Sequence, residues 1–150
     1  MNYWLFKSEP STYGIDHLAA DKVTAWTGVR NYQARNFMRD SMRVGDGVLF
    51  YHSSCPEPGV AGLAEVASAA YPDPTQFQSR SPYFDPKSTR AAPRWMMVDV
   101  RALRRIPLVP LAEIRRHKAL ARMWLLRPGS RLSITPVAPD EWRFITEELA

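Results

Sequence analysis

Val48-Leu49-Phe50-Tyr51-His52-Ser53-Ser54 is an apolar run that turns polar at its end. After Cys55-Pro56-Glu57-Pro58-Gly59 the chain resumes as a second apolar run from Val60 to Ala70. Two such runs around one proline-glycine loop predict an antiparallel hairpin. Gly62 and the alanines of the second run permit close approach of a neighbouring backbone or ligand.

Towards the N-terminus, Tyr3-Trp4-Leu5-Phe6-Lys7 is another buried-strand run, closed by Ser8-Glu9-Pro10-Ser11. Ile15, Leu18 and Ala19 then predict a short helix ending at Asp21-Lys22. From Val29 to Met42 the spacing of Ala34, Phe37, Met38 and Met42 predicts a longer one. Arg35, Arg39 and Arg43 fall at i, i+4 and i+8 on it, a stripe that is either a solvated face or an anion-binding one. Gly45-Asp46-Gly47 returns the chain to the hairpin.

Towards the C-terminus, Tyr71 to Pro93 contains five prolines and only a brief helical possibility near Pro74–Phe77. So long an irregular segment is either an excursion or a functional loop, and the paired aromatics Tyr83-Phe84 favour function. Arg94 to Ile106 predicts a strand, Pro107 to Arg116 a short helix led by Pro110, and Leu120, Met123 and Trp124 another. Arg127-Pro128-Gly129-Ser130 is a turn, Arg131 to Val137 a last strand, and Trp142, Ile145, Thr146 and Leu149 a helix on the surface. Five or six mostly antiparallel strands with short helices make one small α+β domain over residues 1–150, its sheet curled or closed as a barrel.

Composition narrows the function. The 150 residues are 45% hydrophobic, enough for a real core. No stretch reaches membrane-spanning length, and Met1-Asn2-Tyr3-Trp4 enters a strand without signal-peptide design, so the cytoplasm is the expected location. One cysteine and three scattered histidines leave no metal-ligand spacing, and no cofactor fingerprint is present. The net charge is +5, and the basic residues are skewed to arginine. Arginine suits bidentate phosphate contacts and base stacking, though a genomic bias would produce the same ratio.

Thr24-Ala25-Trp26-Thr27-Gly28-Val29-Arg30-Asn31-Tyr32 places a tryptophan between small residues, beside a glycine turn. Such a ring is either a partly buried packing residue or the rim of a pocket for a flat ligand. Lys7, Ser8, His52 and Ser53 stand at strand ends, and Trp26, Tyr32, Tyr51 and Tyr83 supply aromatic faces. With a basic helix these are the ingredients of base recognition, DNA or RNA being the partner. The rival class is an enzyme acting on nucleic acid or a small acidic metabolite through Cys55 and His52. Residues three apart on an extended segment point to opposite faces, which weighs against that pair. A protein-binding module using the same pocket is a third class.

Three blocks carry a resemblance: Tyr-Trp-Leu-Phe-Lys-Ser-Glu-Pro at 3–10, Trp-Thr-Gly-Val-Arg-Asn-Tyr-Gln-Ala-Arg-Asn-Phe-Met at 26–38, and Val-Leu-Phe-Tyr-His-Ser at 48–53. Together with Gly59-Val60-Ala61-Gly62, Tyr83-Phe84-Asp85-Pro86-Lys87, Pro93-Arg94-Trp95 and Arg131-Leu132-Ser133, they resemble the EVE domain family over essentially the whole chain. The resemblance implies a PUA-like, twisted pseudo-barrel fold and a non-enzymatic reader of modified bases, with no cofactor. The EVE family is similar to the YTH readers of N6-methyladenine. Lys7 and Ser8 match their Lys-Ser pair, and Trp26 with Thr27 matches their first cage tryptophan. Their second cage tryptophan has no clear counterpart, and the Tyr83-Phe84 loop is the candidate replacement. Tyr51, His52 and Ser53 are EVE-like and imply a different base edge. The expected pocket is therefore Lys7, Ser8, Trp26, Thr27, Asn31, Tyr32, Tyr51, His52, Ser53 and Tyr83, with Arg30, Arg35, Arg39 and Arg43 on phosphates.

Overall fold

Two strands are apolar through their middle residues on both faces because both faces are covered, and they turn polar only at their ends. These are β1 (Tyr3–Ser8) and β3 (Gly47–His52), which lie parallel and side by side, Leu5 opposite Leu49 and Phe6 opposite Phe50. A computed structural model of the chain describes residues 1–129 and 131–150, so Ser130 of the expected turn lies outside the described residues. The expected hairpin is present: β3 pairs antiparallel with β4 (Gly59–Val66), with a bulge between Phe50 and Tyr51. The long strand β7 (Asp99–Pro110) continues the sheet beside β4, and β2 (Val23–Ala25) pairs with its first residues. On the other side β8 (Ile134–Val137) pairs antiparallel with β1. The main sheet is thus six-stranded and open, in the order β2-β7-β4-β3-β1-β8, and the fold is α+β. β5 (Tyr71–Pro72) and β6 (Met96–Met97) make a separate small ribbon.

Alternation sends successive side chains into two cores. Trp4, Phe6, Val48, Phe50, Ala64 and Val66 face one side, covered by Ile15 and Leu18 of α2 (Ile15–Asp21), which follows the single turn α1 (Pro10–Tyr13), and by Ala34 of α3 (Tyr32–Asn36). Leu5, Leu49, Tyr51 and Leu63 face the other, covered by Ile114, Leu120, Met123 and Ile145. The C-terminal helix is thereby a covering element, with Ile145 fully buried.

Three expected elements are revised. The strand expected over 94–106 divides, and β7 runs on through Pro107 to Pro110. Proline is tolerated there because β2 pairs along β7 only as far as Arg101 and the Ala102 amide donates to the Lys22 carbonyl, so the later residues form an edge on that side. The helix expected from Val29 begins only at Tyr32, where the Asn31 side chain accepts from the Ala34 amide at 3.0 Å. From Phe37 to Ser41 it becomes a π-turn, with the Met42 amide bonding back to the Phe37 carbonyl. The wider turn keeps Ala34 and Met38 in the core but breaks the four-residue spacing of the arginines. Arg43 follows the helix end and is not part of a stripe.

Candidate functional site

The polar end of β1 faces β2 and the turn that follows it, although three strands separate β1 from β2 in the sheet. Between them lies a cleft of about 530 Å³, lined by Lys7, Ser8, Glu9, Thr12, Tyr13, the segment from Thr24 to Val29, Tyr83 and Ser133. Five expected pocket residues are therefore gathered: Lys7, Ser8, Trp26, Thr27 and Tyr83.

Trp26 serves both readings made of it. Its ring is only 9% exposed and packs edge-on against Phe6 and Phe50, with centroids 5.3 and 5.7 Å away. It is core packing whose remaining surface lines the cleft. Tyr13 meets the same ring edge-on at 6.3 Å and donates through its hydroxyl to Asp21 at 2.7 Å. Burial, first of all, raises the Tyr13 phenol above its ordinary pKa.

Two polar groups at the end of β1 differ in what they have left to offer. Ser8 Oγ donates to the Tyr13 carbonyl at 2.6 Å, which leaves the oxygen free to accept. The Lys7 ammonium makes no hydrogen bond or ion pair among the described residues, and burial lowers its pKa from the usual lysine value. A half-buried cation without a partner is costly, so the cleft is electrostatically incomplete.

The Tyr83 wall is held by a buried carboxylate. Asp73, fully buried, accepts from the Gly28 amide (2.8 Å), the Thr75 amide (2.8 Å), the Thr75 hydroxyl (2.6 Å) and Arg30 (3.1 Å). Burial alone would raise its pKa; the bonds from Thr75, Gly28 and Arg30 win and hold it low. Arg30 also donates twice to the Tyr83 carbonyl, and to Thr75 and the Val29 carbonyl. Gly28 has φ +85°, and a Cβ there would come within 2.7 Å of the Tyr83 ring. Glycine is required both for that backbone and for the ring lying against it.

The other expected residues are elsewhere. Asn31 is the α3 cap. Tyr32 is 52% exposed, stacked on Trp95 at 4.8 Å, and the Arg35 guanidinium lies over its ring at 4.7 Å. Tyr51 is 3% exposed and packs in the core on the opposite face of the sheet from Trp26. Ser53 is tied by its amide to the Ser8 carbonyl at 2.9 Å without lining the cleft. His52 accepts from the Ile15 amide through Nε2 at 3.1 Å, and burial, opposed by Asp16, lowers its pKa. That bond occupies the lone pair a Cys55–His52 centre would use. Among the described residues no group of three or more His, Cys, Asp or Glu is placed to hold a metal ion.

The expected phosphate contacts are revised too. All five N–H donors of Arg30 are engaged inside the fold. Arg35 bonds to Asn36 and to the Arg94 carbonyl. Arg39 forks onto Asp40 at 2.8 and 3.0 Å. Of these four arginines only Arg43 makes no side-chain hydrogen bond or ion pair to a described residue.

Glu9, Thr12, Tyr13, Thr24 and Ser133 line the cleft without having been expected. Tyr13 had a readable signal, an aromatic just past a Pro-led strand exit. Ser133 stood in the Arg131-Leu132-Ser133 block of the resemblance, but nothing in the spacing placed it at the cleft, where the Lys7 amide bonds to its carbonyl.

The EVE domain family model matches residues 2–148. The chain belongs to the EVE domain family. This EVE domain is 42% identical over 163 residues to human thymocyte nuclear protein 1, covering 96% of this chain and 72% of that protein. A protein of Leishmania major has the same fold at a TM-score of 0.92 and 49% identity, covering 97% and 92% of the two chains. Human THYN1, solved in complex with DNA containing 5-methylcytosine, superposes at 0.90 with 42% identity, covering 97% and 95%.

Proposed function

We propose that this EVE domain is a non-enzymatic reader that takes a modified base of DNA into the Lys7–Trp26–Tyr83 cleft. The observation that carries the reading is the unpartnered, half-buried Lys7 ammonium beside the accepting Ser8 Oγ. A donor next to an acceptor complements an edge such as that of cytosine, where the amino group lies beside the ring nitrogen and carbonyl. Trp26 and Val29 add apolar wall for a methyl group. The DNA bound to THYN1 supports this choice of partner and modification. A base inside a duplex must leave the stack to enter such a cleft, which costs a few kcal/mol, so unpaired positions should bind more tightly.

Fluorescence anisotropy on matched oligonucleotides carrying 5-methylcytosine or cytosine, as DNA and as RNA, tests the reading. One buried methyl contributes about 0.8 kcal/mol, roughly fourfold in Kd, and that is the preference expected on DNA. Trp26→Phe should reduce it. Equal affinities for modified and unmodified strands would sink the proposal, and a preference confined to RNA would reassign the partner.

A further inference from the structure

The loop that supplies Tyr83 to the cleft ends in a second aromatic that the cleft does not use. Tyr83 is 42% exposed and Phe84 40%. Exposed neighbouring aromatics are usually softened by a mobile backbone, but this backbone is pinned. The Tyr83 amide donates to Ser81 Oγ at 3.1 Å, the Phe84 amide to the Ser81 carbonyl at 3.1 Å, and the Asp85 amide to the Gln76 carbonyl at 3.0 Å. Asp85 accepts from Trp95 Nε1 at 2.8 Å, and Arg30 grips the Tyr83 carbonyl. The fold therefore presents the Phe84 ring to solvent on a preorganised tip, continuous with the cleft mouth.

The surrounding charge selects the occupant. Residues 78–94 carry Arg80, Lys87, Arg90 and Arg94 against a single acid, Asp85, which accepts from the Trp95 indole and the Lys87 amide and pairs with Arg94 at 3.8 Å, leaving Arg80, Lys87 and Arg90 without an ion pair to a described residue. A second copy of this chain, itself at +5, would be repelled by such a rim. A polyanion with flat apolar faces suits it, and that combination is a nucleic acid.

We infer that Phe84 is a wedge: it enters a duplex beside the base held in the cleft and stacks against the neighbouring base, while the loop cations meet the phosphates. This rests on the cleft reading above. Apolar side chains that enter a base step unstack it and keep the duplex open at that point. The wedge should matter for duplex, where a gap must be held, and little for single strand.

The test uses the full chain and one DNA carrying a single 5-methylcytosine with 2-aminopurine on its 3′ side, as duplex and as single strand. Phe84→Ala should weaken duplex binding about tenfold and single-strand binding less than threefold, and should abolish the 2-aminopurine emission rise seen with the wild type. Phe84→Leu, an apolar wedge of another shape, should recover most of the duplex affinity. A thermal melt of each variant checks that the fold is kept. Wild-type duplex affinity in Phe84→Ala, alongside intact discrimination of 5-methylcytosine from cytosine, overturns the wedge and leaves the cleft reading standing. Equal loss on duplex and single strand also overturns it. Absence of discrimination in the wild type defeats the cleft reading, and the wedge with it.

Discussion

Arg30 and Lys7 are cations flanking one cleft, and the fold treats them in opposite ways. Arg30 has all five donors bound, to Asp73, Thr75, Val29 and Tyr83. Lys7 has none of its three donors bound to a described residue, and burial already disfavours its charge. A saturated polar cluster is scaffold, because every bond that could go to a ligand has gone to the protein. An unsaturated one at a concave surface is where a ligand completes the electrostatics. The difference separates a residue that builds the site from one that uses it.

The largest effect should come from breaking the saturated side. Asp73→Ala removes four hydrogen bonds and leaves the Arg30 guanidinium partly buried without its counter-charge, which costs about 3–5 kcal/mol. Urea denaturation at pH 7 measures it, and a loss below about 1 kcal/mol would show the cluster to be ornamental. DNA binding should fall as well, because the Tyr83 wall loses its anchor. The pH dependence follows from the depressed Asp73 pKa. The contribution is complete above the unfolded carboxylate value of about 3.9 and is lost as pH falls through the lower folded value. The gap between wild type and variant should therefore narrow in acid.

The next effect should have the opposite character. Lys7→Met removes an unpartnered cation and keeps the aliphatic stem, so stability should be unchanged or higher by roughly 0–1 kcal/mol, discounted for its half-exposure. Because the folded pKa lies below the unfolded one, the unfolded chain holds the proton more firmly. The charge thus opposes folding at neutral pH and ceases to do so only as pH rises through the unfolded value. Affinity for the modified strand should meanwhile drop about tenfold, the scale of a hydrogen bond to a charged group. A destabilised variant with full affinity would reverse the roles assigned to the two cations.

The scaffold side was the harder one to read in the chain. Buried strands and the hairpin were legible because Leu5, Phe6, Leu49 and Phe50 are apolar whichever face they take. The same lack of alternation hid which face Tyr51 takes, and it lies opposite Trp26. Lys7, Ser8, Trp26 and Thr27 were legible as polar or isolated aromatic residues at element ends. Asp73, Thr75, Gln76 and Ser88 look like loop composition, and nothing in their spacing shows that Gln76 makes four buried bonds. Arg30 read as a phosphate ligand because its real partners lie more than forty residues away. The arginine stripe failed for a local reason: a π-turn shifts every residue after Phe37.

Arg39 provides the smallest expected effect and tests the comparison at its weakest point. It is exposed, yet its fork is closed on Asp40 and it also reaches Asn36. The Asp40 hydrogen bonds, and then its charge, raise the Arg39 pKa, while Arg39 in turn lowers that of Asp40. Both groups remain charged near neutrality, so the pair presents almost no net field to a passing phosphate. Each phosphate neutralised contributes a slope of about −0.9 in log affinity against log salt on duplex DNA. Arg39→Ala should leave that slope within about 0.3 of wild type, far less than one contact. Asp40→Ala should do more than Arg39→Ala, by freeing the guanidinium and raising affinity at low salt. Titrations at three salt concentrations decide the matter. Should Arg39→Ala flatten the slope by a full contact, the ion pair opens for DNA, and saturation in the free protein would no longer distinguish scaffold from site on exposed helices.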